Sequence, residues 1–195
     1  MITIVDYDAG NIKSVTNALS RLGAEYELSA DPAVIASASK LILPGVGNAA
    51  EAMESLRGKG LVEVIKGLRK PVLGICVGMQ IMCRSSEEGP CSCMDIFDCD
   101  VRRFVPTPEA KVPHMGWNSI GNLDGKLFRG VQGGAFVYFV HSYYPGLCCD
   151  TIATCRHAGT MFSAALKYEN FYGTQFHPEK SGSTGELILK NFLAL

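Results

Sequence analysis

Lys70-Pro71-Val72-Leu73-Gly74-Ile75-Cys76-Val77-Gly78-Met79-Gln80 decides how the rest of this 195-residue chain is read. Pro71 to Ile75 is a short apolar run after a proline, the pattern of a buried strand. Val77 onward, into Ile81-Met82-Cys83-Arg84, reads as the opening of a helix. Cys76 stands at the junction between Gly74 and Gly78. That Gly-x-Cys-x-Gly spacing is the thiol form of the nucleophile elbow, a strand-to-helix turn tight enough to expose its central side chain. A Cβ at either flanking position would crowd such a turn. An ordinary thiol of pKa about 8.5 is only slightly ionised at neutral pH, whereas a helix N-terminus favours the thiolate. The pentapeptide alone leaves two readings open, a reactive nucleophile or a buried structural cysteine.

Outward from the elbow, the first half of the chain alternates strands and helices, which implies parallel strands covered by helices. Ile2–Asp6 is the first strand. A helix runs from Gly10-Asn11 to Leu22, with Ile12, Val15, Leu19 and Leu22 on one face and Gly23 as its stop. Tyr26–Leu28 is a second strand, Asp31-Pro32 opens a short helix, and Lys40–Leu43 is a third strand. Helical segments at Ala49–Leu56 and Leu61–Leu68 lead back to the elbow. Beyond Glu87 a turn-rich stretch to residue 100 gives way to strand-like runs at Asp100–Phe104, Ala135–Tyr144, Thr151–Cys155, Ala164–Tyr168 and Phe171–Phe176. Tyr168-Glu169-Asn170-Phe171 reads as a hairpin turn and Thr184–Leu193 as a closing helix. The expected fold is α/β. It has a mostly parallel central sheet with helices on both faces and an additional antiparallel strand region, all in one domain over 1–195.

Composition narrows the function classes. A net charge of −1 with no basic cluster offers nothing to nucleic acid or an anionic membrane. No apolar stretch approaches a membrane span, and the N-terminus runs straight into a strand, so a cytoplasmic location is expected. The eight cysteines lack the paired C-x-x-C spacing of structural zinc sites, and reduced thiols are the expectation. Neither a metal nor an organic cofactor is expected.

Three further stretches carry chemistry. In Gln175-Phe176-His177-Pro178-Glu179-Lys180, an extended backbone would turn residues two apart to the same side. His177 could then take and return a proton while Glu179 orients it. An exposed histidine beside a solvated glutamate is the alternative. Pro44-Gly45-Val46-Gly47 follows a parallel strand and offers backbone N–H groups where an oxyanion would develop. An ordinary turn is the alternative there. His141 ends the aromatic run Phe136–Val140 and ranks below His177 as a base. Pro113–Asn118 reads as a compact turn holding the chain's single tryptophan, Trp117, which either packs in the core or faces a partner.

Taken together, the elbow, Pro44–Gly47 and His177-Pro178-Glu179 resemble the class I (triad-type) glutamine amidotransferases. Asp6–Asn11, Pro113–Asn118, Tyr138–Tyr143 and Met79 after the elbow glycine narrow the resemblance to the glutaminase subunits of imidazole glycerol phosphate synthase. The resemblance spans nearly the whole chain. It implies that glutamine is hydrolysed to glutamate and ammonia. A cyclase subunit with a (β/α)8 barrel would then use the ammonia to form imidazole glycerol phosphate and an aminoimidazole carboxamide ribonucleotide, in a heterodimer serving histidine biosynthesis. It implies roles as well. Cys76, His177 and Glu179 would be the triad, and Gly45, Val46, Gly47 and Val77 the oxyanion donors. Gln80, Glu88, Ser142 and Tyr143 would bind glutamine, while Asn11, Trp117 and Lys180 face the partner. Asp8 replaces a more usual glycine, Val77 a more usual leucine, and the Gly89–Asp98 loop carries Cys91 and Cys93 in place of a glycine-leucine pair. Two other readings compete: a free-standing thiol hydrolase, and a silent interaction subunit that kept the fold.

Overall fold

The computed structural model of the protein describes residues 1–8, 12–108 and 110–195. Its first half is the expected alternation. Strand β1 (Ile2–Val5) leads to α1 (Ile12–Arg21), β2 (Tyr26–Ser29), α2 (Pro32–Ser37), β3 (Lys40–Leu43), α3 (Ala49–Gly58), α4 (Leu61–Lys66) and β4 (Val72–Ile75). All four residues of β1 and of β4 are buried, as befits central strands covered on both faces. Helix α1 buries Val15, Ala18 and Leu19, and the chain leaves it through Gly23 at φ +67°. Asp31 caps α2 by accepting the Ala33 N–H at 2.7 Å.

The second half comprises α5 (Val77–Gln80), β5 (Cys83–Ser86), β6 (Cys91–Ser92), β7 (Phe97–Arg103), β8 (His114–Ser119), β9 (Phe136–His141), β10 (Tyr143–Pro145), β11 (Thr151–His157), β12 (Thr160–Tyr168), β13 (Phe171–Thr174) and α6 (Gly182–Leu193). The main sheet runs β11-β12-β13-β4-β3-β1-β2. Its pairings from β13 to β2 are parallel, and those of β12 with β13 and with β11 are antiparallel. A four-stranded sheet, β10-β7-β5-β6, and an antiparallel ribbon, β8-β9, complete the described strands. Chain order in the sheet reverses between β2 and β3. Right-handed crossovers therefore send α1 to one face and α2 to α4 to the other. Arg21 of α1 meets Glu186 of α6 at 3.4 Å on the first of these faces. The expected α/β class, with its antiparallel extension, is what the chain adopts.

Three local expectations need correction. The helix after Cys76 is a single turn that ends at Gln80, and Cys83–Ser86 forms β5 instead of continuing it. The carbonyls of Ile81 and Met82 accept N–H groups from Met94, Ile96 and Phe97, so tertiary pairing overrides the helical start. Pro113–Asn118 is no turn. Residues 114–119 pair along their length with Phe136–His141, which puts Trp117 opposite Tyr138. Finally, Pro178–Lys180 is a 3-10 turn, not extended backbone. Pro178 suits the first position of that turn, and the Lys180 N–H closes it on the His177 carbonyl at 3.0 Å. The hairpin turn at Glu169-Asn170 is as expected, with Tyr168 opposite Phe171.

Candidate active site

β3, β4 and β13 end side by side, and each delivers one wall of the site from its carboxyl end, where open α/β sheets hold their ligands. Cys76 leaves β4 at φ +54° and ψ −112°, a left-handed conformation that side chains rarely adopt. Its amide donates to the Thr174 carbonyl at 2.8 Å, and its carbonyl accepts from Gln80 at 3.1 Å. The flanking glycines are a steric necessity. A Cβ on Gly78 would run into the Leu43 carbonyl oxygen, and one on Gly74 into Met82 Cε. Gly45 lies so close to the Gly78 amide that it too has no room for a side chain.

Pro44–Gly47 follows β3 and is held from beneath by a residue that sequence reasoning gave no role. The buried Tyr7 hydroxyl donates to the Pro44 carbonyl at 2.5 Å. Burial, with the Cys76 charge adding to it, raises this phenol well above its ordinary range and keeps it a donor. Asp8 beside it sits at φ +67°, the left-handed conformation that glycine adopts freely.

From β13 comes His177, the expected base. His177 Nδ1 lies 2.8 Å from Glu179 Oε1, both side chains are buried, and the His177 amide donates to the Tyr138 carbonyl at 2.9 Å. Nδ1 therefore carries the proton and Nε2 is the basic position. Among the described residues, Nε2 has no hydrogen-bond partner. Burial alone would lower the pKa of this ring. The Cys76 charge and the Glu179 carboxylate outweigh it and push the imidazole up to about 10.

Cys76, His177, Val46, Gly47, Val77, Gln80, Glu88, Ser142 and Tyr143 line one cavity of about 230 Å3. This is below the ~300–1,000 Å3 of drug-sized pockets and suits one small polar molecule. Glu88 accepts the Ala49 N–H at 3.2 Å, and burial raises its carboxyl against that bond. Gln80 donates its amide to the Tyr143 carbonyl and to Gln175 Oε1, each at 2.9 Å, and its own oxygen is buried without a partner. Gln175, fully buried, turns its amide nitrogen to Cys76 Sγ at 3.7 Å. Its role was not legible, because its contacts lie 95 and 99 residues away.

The cavity brings the expected nucleophile, base and most of the pocket residues together, with Glu179 behind His177. Gly45 packs under the elbow instead of lining the space. Trp117 and Lys180 stand outside it. Trp117 is 55% exposed, edge-on to Tyr138 at 6.2 Å. Asn11, also expected to face a partner, lies outside the described residues. The groups present can perform thiol attack on a carbonyl with proton return by His177. Among the described residues, no group of three or more histidine, cysteine or acidic side chains could hold a metal.

Comparison with known proteins points the same way. Residues 3–195 match the model of the family described as glutamine amidotransferase class-I. The imidazole glycerol phosphate synthase subunit HisH of Bacteroides thetaiotaomicron is 56% identical over 195 residues, covering 100% of this chain and 99% of the relative. The HisH subunit of Escherichia coli K12 is 45% identical over 196 residues, at 100% and 99% coverage. Among solved structures, PurLQS from Thermotoga maritima superposes with a TM-score of 0.70 at 17% identity, over 99% of this chain and 97% of that one. The glutaminase domain of Trypanosoma brucei CTPS with bound acivicin gives 0.66 at 15%, over 99% and 93%. At those identities the likeness is one of fold.

Proposed function

We propose a glutaminase mechanism for this chain, which belongs to the glutamine amidotransferase class-I family and, within it, to the HisH subunits of imidazole glycerol phosphate synthase. The observation that carries the reading is one cavity onto which Cys76 and His177 both open, with Glu179 2.8 Å behind the imidazole. The Cys76 thiolate attacks the side-chain amide carbon of glutamine. The tetrahedral oxyanion is met by N–H groups of Val46 and Gly47, with Gly45 packed beneath them, and by that of Val77. As the first residue of α5, Val77 has no intrahelical acceptor for its N–H. The Gly45–Val46 peptide turns toward the oxyanion on activation. His177 gives its proton to the leaving ammonia, and the thioester is cleaved by water that returns a proton to Nε2. Glu179 keeps the proton on Nδ1 throughout. Gln80, whose amide oxygen is otherwise unpartnered, Glu88 and the Ser142-Tyr143 backbone bind the amino-acid end of glutamine.

The ammonia passes to a (β/α)8-barrel cyclase subunit, which docks on the face carrying Trp117 and Lys180; Asn11 is a further contact expected from the resemblance alone. A free-standing hydrolase is disfavoured by an exposed tryptophan on a strand beside the site. Residues 1–195 act as one domain, in the cytoplasm; no described helix is long and apolar enough to cross a membrane. The test is glutamine hydrolysis by the chain mixed with its cyclase. Turnover should be weak alone, rise on complex formation and vanish in Cys76→Ala. A Cys76→Ala complex that still released ammonia overturns the mechanism.

A further inference from the structure

Three of the four histidines take no part in that chemistry, and two of them form a buried chain that ends at the active site. It is best followed inward from β8. The Asn118 amide is fixed by two backbone groups of opposite kind. Its oxygen accepts the Ser119 N–H at 2.8 Å, and its nitrogen donates to the Arg156 carbonyl at 3.0 Å. That leaves no freedom to exchange the two ends. The same nitrogen lies 3.1 Å from His114 Nε2, which must therefore be the accepting atom. The His114 proton is then on Nδ1, 2.9 Å from His141 Nε2, which accepts in turn. The His141 proton is likewise on Nδ1, and it is donated to the Tyr143 carbonyl at 2.8 Å.

The ordering does not stop there. The Tyr143 carbonyl can only accept, so beside His141 the Gln80 nitrogen has to face it as a second donor. The Gln80 nitrogen also faces Gln175 Oε1, so Gln175 must present its own nitrogen to the Cys76 sulfur. Two runs of fixed choices thus meet at the Tyr143 carbonyl, one leading in from Asn118 through the histidines and one leading on through Gln80 and Gln175 to Cys76. Protonating either histidine would set N–H against N–H, His114 against the Asn118 amide or His141 against His114. The surroundings oppose protonation too. Phe104, Phe139 and Phe162 pack on the pair. The ionisable groups acting on it are His157, stacked on His114 at 4.0 Å, and His177, and both are cationic when charged.

We infer that His114 and His141 are positioning residues for the glutaminase reaction. As neutral Nδ1–H tautomers they fix the Tyr143 carbonyl and, through Gln80 and Gln175, keep an N–H donor aimed at Cys76 Sγ. The purpose rests on the proposed glutaminase mechanism, while the tautomers and the donor stand on geometry. A hydrogen bond to sulfur stabilises the thiolate over the thiol, so the chain prepares the nucleophile before glutamine arrives.

The full chain labelled with 15N-histidine tests the tautomers between pH 5 and 8. Both rings should stay neutral with the proton on Nδ1, and either ring titrating in that range or carrying its proton on Nε2 overturns the inference. The consequence is read from the alkylation rate of Cys76 by iodoacetamide, which does not depend on glutamine turnover. His141→Leu, which removes the donor that fixes the Tyr143 carbonyl, should slow alkylation about tenfold, the size of one charge-assisted bond to sulfur left misaligned. His141→Asn, whose amide nitrogen can occupy the Nδ1 position, should recover most of it. Equal rates in the two folded variants overturn the inference; should His141→Leu fail to fold, the tautomer measurement still decides. A chain that meets both expectations yet never hydrolyses glutamine refutes the mechanism and leaves the positioning chain standing.

Discussion

The segment carrying Cys76 and the segment carrying His177 leave the sheet as neighbouring parallel strands, β4 and β13, yet they aim their side chains by different means. Around Cys76 the constraints are steric. Gly45, Gly74 and Gly78 let backbone cross backbone, and the residue itself is held in a left-handed conformation. Around His177 the constraints are polar. Glu179 holds the ring, Tyr138 holds the amide, and Ser181 donates to the His177 carbonyl at 2.6 Å while accepting the Tyr138 N–H at 2.9 Å. A steric constraint is all or nothing, because close-packed backbone does not give way gradually. A polar one is graded, because each bond contributes a separable amount.

The largest expected effect is therefore on the steric side. Gly78→Ala drives a Cβ into the Leu43 carbonyl and should cost about 4 kcal/mol or more, leaving little folded protein. Denaturant unfolding measures this, and a variant as stable as the parent would show that the elbow has slack. Next comes Glu179→Gln, which keeps the shape but no longer selects the Nδ1–H tautomer. The maximal rate of glutamine hydrolysis in the complex should fall about 10²–10⁴-fold with the folded structure intact. A loss of less than tenfold would mean that the turn alone aims His177.

The remaining effect separates the histidines. Burial lowers the His141 pKa to about 3 and that of His114 to about 4, against an ordinary value near 6.5. An unfolded chain takes up protons below pH 6.5 that the folded chain refuses. The stability these groups give is present above that pH and is lost as pH falls from about 6.5 toward 4. The slope approaches about 1.4 kcal/mol per pH unit for each ring. Denaturant midpoints from pH 7 to 4.5 should show it, and His141→Asn should halve it. His177 is displaced the other way, to about 10, so its contribution is undiminished below pH 6.5 and lost as pH rises through 10.

The same contrast explains what the sequence made legible. Steric constraints write themselves locally, as glycines at fixed spacing, apolar strands and a proline before them, so the elbow and the alternation of β1 to β4 could be read directly. Tertiary pairing does not write itself this way. Nothing local in Ile81–Arg84 opposes a helix, and the segment leaves one because Met94–Phe97 claims its carbonyls. Met115, Gly116 and Asn118 are poor strand formers, and only the aromatic strand opposite makes β8 a strand. His177 and Glu179 do meet, at 2.8 Å, but from a 3-10 turn and not from extended backbone. Two side chains can meet from an extended segment or from a turn, and spacing does not tell the two apart. The contacts of Tyr7 and Gln175 and the bond between His114 and His141 were not legible, because they span 37, 99 and 27 residues.

The position of β13 beside β4 has a consequence for how the protein is made. The carbonyl that receives the Cys76 amide belongs to Thr174, and the base follows at His177. About a hundred residues of synthesis separate Cys76 from Thr174 and His177. A chain still emerging from the ribosome, or one cut short before the last strand, carries an ordinary cysteine and no base. On the proposed mechanism, reactivity is thus deferred until β13 is in place, and a fragment lacking that strand would not hydrolyse glutamine.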